Sequence, residues 1–493
     1  VYRTTRCTFS SSRVWTRLLI VLLLTVTNNP LLASREKSGR VGHPNIVLIL
    51  ADDLGYGDVG VYGSEHVRTP NIDELAREGV QFTSGYVAAA VCSPSRAALI
   101  TGRYAQRFGY HFNNNGRSGL PASEKTIGER LNEKGYRTGL IGKWHLGWQE
   151  SQRPNRRGFD YFYGMNSRGI FISPDTKGVE TWIPGGYDGT RESSTKGPSN
   201  DGLITRYTLS TRDQHPLYKN ETPVEDGGYL TETITREALG FIERNKTDPF
   251  FLYVAHYAPH VPLQATKKYL DLYSGIELEQ QRIYSAMVSA LDESVGAIKA
   301  KITEEGLAQK TLIIFLSDNG CAKYTQGACT NSPLSGGKRY QLEGGVRVPL
   351  IVRWPGKIKA GSTSDVVTGF EDWMPTLLDL IGEKASTPSD TDGVSIANAL
   401  LGKKQQPRKF LYREFSGYGG QQAVWAGRWK AVRQNILRKN NKTPLKIELY
   451  DLKADISESN DVAADNPKIV AQLRKLMIQE HTRSEFYPIK PLD

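Results

Sequence analysis

Three uninterrupted apolar runs stand out along the chain: Asn45–Ala51, Pro249–Ala255 and Thr311–Ser317. None alternates polar with apolar positions. Each therefore reads as a strand buried on both faces, the pattern of parallel sheets covered by helices. Between the runs the spacing of apolar positions becomes helical. Thr69 stands at an N-cap, Pro70 at the first helical position and Asp73 and Glu74 in the first turn of a segment ending near Gly79. A longer segment runs from about Arg282 to Glu305, with Met287, Leu291, Val295, Ile298 and Ile302 on one face. Strands alternating with helices predict an α/β fold with a large, mostly parallel central sheet flanked by helices.

Beyond Asp392-Gly393 the texture changes. Val424-Trp425 and Trp429–Val432 predict short strands around the turn Gly427-Arg428; Ile447–Leu452 predicts another, and Pro467–Glu480 a helix. These predict a small C-terminal α+β domain with a short antiparallel sheet. The expected boundaries are 42–390 for the main domain and 391–493 for the second. Residues 166–227 are polar and rich in Gly, Ser, Thr and Asp, the composition of a long functional loop.

Residues 1–33 predict a secretory signal peptide. Arg3, Arg6, Arg13 and Arg17 form its basic region, Leu18–Val26 is an apolar run too short to span a bilayer, and small residues follow at Ala33 and Ser34. No membrane span is expected after its removal. The chain carries a formal net charge of +11. Even without the four leader arginines it stays basic, which suits an anionic substrate or surface. With no zinc finger, basic–aromatic module or heptad repeat, nucleic acid is not an expected partner.

Candidate chemistry clusters just after the apolar runs. Asp52-Asp53 follows the first and Asp318-Asn319-Gly320 the third. Open parallel sheets bind ligands beyond the carboxyl ends of their strands. Two adjacent carboxylates there repel unless a cation holds them. Three carboxylates and an amide oxygen suit a hard divalent cation, and the oxygen-rich exported setting favours Ca2+ over Mg2+. Lys143 and His145 lie in Gly142–Gly147, where polar and apolar residues alternate; if extended, the two share a face. His260 follows the second run between Pro259 and Pro262, and Lys338 sits in a glycine-rich loop before Glu343–Pro349. Singly, each reads as an ordinary turn residue, surface charge or polar histidine.

Cys92 begins the string Cys92-Ser93-Pro94-Ser95-Arg96, followed by Leu99, Thr101, Gly102 and Arg103. Pro94 suits a first helical turn and Ala97, Ala98 and Leu99 continue it, so Cys92 stands at a helix N-terminus, where free N–H groups favour anions. Arg96, one turn on, can point back at position 92. The string resembles the signature of the type I sulfatases, and the resemblance extends from Asn45 beyond Tyr450, most closely to the arylsulfatase and N-acetylgalactosamine-6-sulfatase-like branch.

That resemblance implies a secreted sulfatase whose Cys92 is oxidised by a maturation enzyme to formylglycine, a hydrated aldehyde that attacks sulfur. It implies one Ca2+ per chain, bound by Asp52, Asp53, Cys92, Asp318 and Asn319. Arg96 and His145 would hold and activate the nucleophile, Lys143 and Lys338 grip the sulfate, His260 serve the leaving-group oxygen, and Ser167 touch the sulfate. With Cys92 so used and Cys7 in the leader, Cys321 and Cys329 remain to form a disulfide. The implied substrate is a sulfated carbohydrate, with a galactose-type sugar preferred. Its specificity is expected to come from 166–227 and from His111–Asn115.

Two alternatives stay open. One is a phosphate or phosphonate ester hydrolase of the same superfamily, against which the cysteine and the oxygen-only metal set argue. The other is a non-catalytic sulfated-glycan binder. The expected location is periplasmic or extracellular, with a bacterial source preferred. Sequons at Asn220 and Asn245 keep a lysosomal one open.

Overall fold

A computed structural model describes residues 42–113, 119–166, 179–182, 217–225 and 228–493. The leader, Asn114, Asn115, Ser167 and most of the 166–227 segment lie outside the described residues. The described chain builds a ten-stranded mixed sheet. At its centre, five strands run parallel in the order Thr311–Ser317, Asn45–Ala51, Phe250–Ala255, Arg137–Lys143 and Tyr161–Met165. Leu350–Arg353 pairs antiparallel on one side and carries Val80–Phe82 and Ser362–Ser364 beyond it. Leu217–Lys219 and Thr222–Val224 close the other edge.

The apolar runs do what their pattern demands. Along Asn45–Ala51 the side chains of Ile46, Leu48 and Leu50 enter one core, with Leu99, Ile100, Leu131, Trp373 and Leu377. Val47, Ile49 and Ala51 enter the other, with Ile72, Leu75, Ile234, Phe241, Ile283 and Leu291. Alternate side chains of a strand point to opposite faces, so helices cover both. Helices Cys92–Thr101, Ile127–Glu133 and Trp373–Leu380 supply one layer; Pro70–Arg77, Leu230–Asn245 and Glu279–Glu304 supply the other. The last begins three residues before its expected start. Thr69 takes the N-cap position without capping. Its hydroxyl instead accepts from the Gly60 N–H at 2.8 Å and donates to Asp73 at 3.1 Å.

The C-terminal part holds the expected antiparallel sheet. Gln421–Ala426 and Trp429–Arg433 form its hairpin, Glu448–Asp451 flanks one side, and helix Pro467–Glu480 packs on it. The fourth strand, Leu411–Phe415, was not expected. Arg413 and Glu414 disguise it, yet both are buried, Arg413 by a two-pronged ion pair with Glu371 at 3.0 and 3.2 Å. Among the described residues no helix is long and apolar enough to cross a membrane.

Candidate active site

The carboxyl ends of four central strands deliver the site. Asp52 and Asp53 follow Ala51, Asp318 and Asn319 follow Ser317, Lys143 ends its own strand, and His260 lies five residues past Ala255. Gly142 permits this convergence. Its φ of 111° and its packing leave no room for a side chain, since a Cβ there would stand 1.9 Å from the Ala255 carbonyl oxygen. Asp53 and His145 adopt φ of 67° and 64°. Left-handed backbone at a non-glycine residue costs on the order of 1–3 kcal/mol and persists where surrounding structure imposes it. For His145 this corrects the sequence reading: the chain leaves the extended conformation after Lys143, so the two side chains do not share a strand face.

Helix Cys92–Thr101, buried throughout, completes the site. Val91 enters in extended conformation, Pro94 falls in the first turn where its missing N–H is not needed, and Gly102 ends the helix in the left-handed region at φ 73°. Cys92 is thereby fixed with Sγ 3.4 Å from Asp52 Oδ1 and 3.9 Å from Asp53 Oδ1. The Ser93 hydroxyl donates to the His145 carbonyl at 2.6 Å and ties the helix to the loop beyond Lys143.

The polar groups form a closed network. Lys143 Nζ donates to Asp52 Oδ2 at 2.6 Å, and Lys338 Nζ to Asp53 Oδ2 at 2.7 Å. Arg96 donates through Nε to Asp318 Oδ2 at 2.9 Å and through Nη1 to the Lys143 carbonyl at 3.0 Å. Its Nη2 stands 2.8 Å from Asp318 Oδ2 and 3.8 Å from Asp52 Oδ2. The Asp53 N–H donates to Asp318 Oδ1 at 3.2 Å. His260 Nε2 stands 3.5 Å from Asp53 Oδ2, and its Nδ1 lies 2.5 Å from the Val261 carbonyl. Among the described residues, neither ring nitrogen of buried His145 has a hydrogen-bond partner. His256 is turned away: its Nε2 meets Ser294 on the long helix at 3.1 Å.

Electrostatics follow from burial opposed by charge. Burial disfavours ionised Asp52, but Lys143, His260, Arg96 and Lys338 outweigh it and hold the carboxyl well below the usual range. Asp53 is likewise held low, by Lys338 and His260 against burial. Asp318 is pushed up to about 6 by burial and the Asp52 charge. Burial and the Asp318 charge push the Cys92 thiol up. Burial with Lys143 and Arg96 drives His145 well down, and burial with Lys338 brings His260 to about 4, so both imidazoles are neutral near pH 7.

A divalent cation fits these residues. Donor atoms of Asp52, Asp53, Cys92 and His260 lie within 4.8 Å of one another. Asn319 Nδ2 donates to Asp53 Oδ1 at 2.7 Å while its buried Oδ1 has no partner among the described residues, an amide oxygen suited to a cation. Asp318 borders this group through Arg96 and the Asp53 N–H. A second acidic and sulfur cluster, Asp58 with Cys321 and Cys329, offers no thiolates, because the two cysteines form a disulfide as expected.

The sequence reading missed Tyr324. From inside the disulfide loop its hydroxyl donates to Asp53 Oδ2 at 2.9 Å and accepts from Lys338 Nζ at 3.1 Å. Only its place in a loop following Asp318-Asn319-Gly320 could have singled it out.

Comparison with known proteins matches the family described as Sulfatase to residues 44–383 and "N-sulphoglucosamine sulphohydrolase, C-terminal" to residues 336–483. The chain is 36% identical over 423 residues to arylsulfatase G of Rattus norvegicus, covering 80% of this chain and 76% of that protein. It is 33% identical over 418 residues to N-acetylgalactosamine-6-sulfatase of Canis lupus familiaris, covering 80% and 74%. Among solved structures it resembles Ps i-CgsB in complex with k-i-k-neocarrahexaose, with a TM-score of 0.74, 34% identity and coverage of 89% and 92%.

Proposed function

The chain belongs to the sulfatase family and is a sulfuric ester hydrolase, and on that premise we propose that it removes sulfate esters from a sulfated carbohydrate after oxidation of Cys92 to formylglycine. The carrying observation is the setting of Cys92. It is a buried, unpaired cysteine at a helix N-terminus, with Asp52 and Asp53 against its sulfur. Relatives named for N-acetylgalactosamine 6-sulfate and a neighbour holding a carrageenan oligosaccharide support a sulfated galactose-type sugar.

When present, formylglycine at position 92 would supply the nucleophile for sulfur, and Ca2+ held by Asp52, Asp53, Asp318, Asn319 and the group at position 92 would neutralise sulfate oxygens. The protein's own residues do the rest. Lys143 uses one N–H on Asp52 and keeps two for nonbridging sulfate oxygens, while Lys338 donates to Asp53 and to Tyr324 and has one left for them. Arg96 fixes Asp318 and the backbone of Lys143, and so keeps the ammonium in register with the carboxylates. Neutral His145, whose ring nitrogens have no partner among the described residues, can take a proton from the group at position 92. His260 presents Nε2 to the same centre, and we assign it to the leaving-group oxygen. Ser167, outside the described residues, keeps its assignment as a sulfate contact.

We assign 42–390 to the catalytic domain and 391–493 to a C-terminal subdomain. The basic and apolar leader supports export to a periplasmic or extracellular site. The test is the mass of the peptide carrying Cys92, from protein purified from its native host and assayed for sulfate release. An aldehyde at position 92 with release of sulfate, both lost in Cys92→Ala, supports the reading. An intact thiol in protein that still releases sulfate defeats it.

A further inference from the structure

Arg339 follows Lys338 directly, and its backbone is held in the left-handed region at φ 84°. The fold pins it there on both sides. Its N–H donates to the Ala90 carbonyl at 2.7 Å, and its own carbonyl accepts from Gln421 Nε2 at 2.8 Å. The guanidinium carbon lies 4.7 Å from the ring centres of both Tyr324 and Tyr418. Tyr324 is the ring whose hydroxyl touches Asp53 and Lys338, so the guanidinium stands one tyrosine away from the sulfate-gripping lysine. Two aromatic contacts hold the flat ion and leave N–H edges of its fork for an acceptor. Arg339 is half-buried, and among the described residues no carboxylate forms an ion pair with it.

Beyond Tyr418 the positive charge continues. Tyr418 is itself left-handed at φ 50° and 39% exposed. The next residue, Gly419, lies so close to Arg438 that a Cβ there would stand 3.3 Å from the arginine Cγ and Nε. Arg438, Lys439 and Lys442 are exposed and, among the described residues, also lack carboxylate partners. Some surface cations, such as Lys267 and Lys446, are paired with Asp271 and Asp461, while others, such as Lys357 and Lys359, have no ion pair among the described residues. A pinned cation one tyrosine from Lys338, with Arg438 packed beside Gly419 and two more cations close behind it in the chain, suits an anionic partner.

We propose that Arg339 heads a second anion subsite, taking a sulfate or carboxylate on a sugar neighbouring the one whose ester is cut, and that Arg438, Lys439 and Lys442 extend it. The substrate is then a polyanionic glycan rather than a singly sulfated sugar. This rests on the sulfated-carbohydrate reading above. Planar guanidinium groups suit both anions through paired charge-assisted hydrogen bonds.

The experiment uses the full chain with Cys92→Ala, which cannot turn over. Binding of fluorescent octasaccharides from a sulfated galactan, from polygalacturonate and from uncharged galactan is followed by anisotropy. Binding of the first or the second identifies the anion as sulfate or carboxylate. Arg339→Ala should weaken binding about tenfold, the loss of roughly 1.4 kcal/mol. Arg339→Lys, which keeps the charge but not the fork, should fall between and serves if the alanine variant misfolds. Arg438→Ala with Lys439→Ala and Lys442→Ala should cost several-fold, most at low salt. The matched control is Lys357→Ala with Lys359→Ala. Leu350–Arg353 runs antiparallel with Arg353 beside Ile313, so those lysines lie at the opposite end of the sheet. Binding within twofold of the parent in Arg339→Ala, an equal loss in the control, or no binding of either charged probe overturns the proposal. Sulfate release by the Cys92 protein is scored separately. Its absence with the subsite binding intact would sink the catalytic reading alone.

Discussion

The Tyr324 hydroxyl donates to Asp53 Oδ2 at 2.9 Å while accepting from Lys338 Nζ at 3.1 Å, so one phenol ties a proposed metal ligand to a proposed sulfate-gripping ammonium. Hydrogen bonds to charged groups are worth about 1.5–3 kcal/mol. Tyr324→Phe keeps the ring that supports Arg339 and removes only the tie. We expect kcat/KM on an aryl sulfate to fall about tenfold or more with a melting temperature within a few degrees of the parent. Unchanged kinetics would assign the phenol a packing role.

Asn319 makes a separate prediction about the cation. Its buried Oδ1 has no hydrogen-bond partner among the described residues. If Ca2+ takes that oxygen, binding to the folded state alone raises stability, by about 2.7 kcal/mol at a hundredfold excess over Kd. Titrating Ca2+ into chelator-treated protein should therefore raise the melting temperature, and Asn319→Ala should shrink the rise. Mg2+ should do less, because it demands a tighter octahedral shell and sheds water reluctantly.

The parts of this fold that the sequence made legible are those where burial dictates residue type. Asn45–Ala51 and Thr311–Ser317 are covered on both faces and can hardly be anything but apolar. The carboxylates after them were legible for the same reason, since they stand at ends the runs define. What escaped depends on distant partners. Arg413 and Glu414 lie in a buried strand that local polarity hides, because the Glu371 that neutralises Arg413 is far away in the chain. The left-handed turn at His145 has only a weak local mark, since histidine enters that region more readily than most side chains but seldom does so. Tyr324 becomes visible only once the loop closed by Cys321 and Cys329 is folded over Asp53.

His256 governs a pH response away from the proposed metal site. It is fully buried, meets Ser294 at 3.1 Å, and burial lowers its pKa to about 3. The unfolded chain protonates the same ring near pH 6.5. Between those values the unfolded state binds the extra proton, so stability falls as pH falls, by up to about 1.4 kcal/mol per pH unit from this residue. Above pH 6.5 the contribution is flat. His256→Gln should reduce the slope between pH 6 and 4, read from urea unfolding at several pH values. An equally steep slope in the variant would place the acid sensitivity elsewhere.

The C-terminal sheet reaches the Lys338 loop through a buried charge cluster. Lys430, fully buried on Trp429–Arg433, donates to Glu343 Oε1 at 3.1 Å and stands 2.6 Å from Glu458 Oε1. Glu458 accepts in turn from the Glu343 N–H at 2.7 Å and the Ser335 hydroxyl at 3.0 Å, which bracket the loop carrying Lys338. Arg347 and Trp425 supply further donors to Glu343, so its charge is shared, whereas Glu458 has Lys430 as its only ion-pair partner among the described residues. Removing one member of a buried cluster leaves an uncompensated charge and costs about 3–5 kcal/mol. Lys430→Met should lose stability on that scale in chemical denaturation. Combining it with Glu458→Gln should recover part of the loss, because the stranded carboxylate is gone. If the double variant is no more stable than Lys430→Met, the cost lies in packing against Trp425, where the ammonium sits 4.7 Å from the ring centre. Recovery in the double variant would mean that charge, not shape, joins the C-terminal sheet to the loop that presents Lys338.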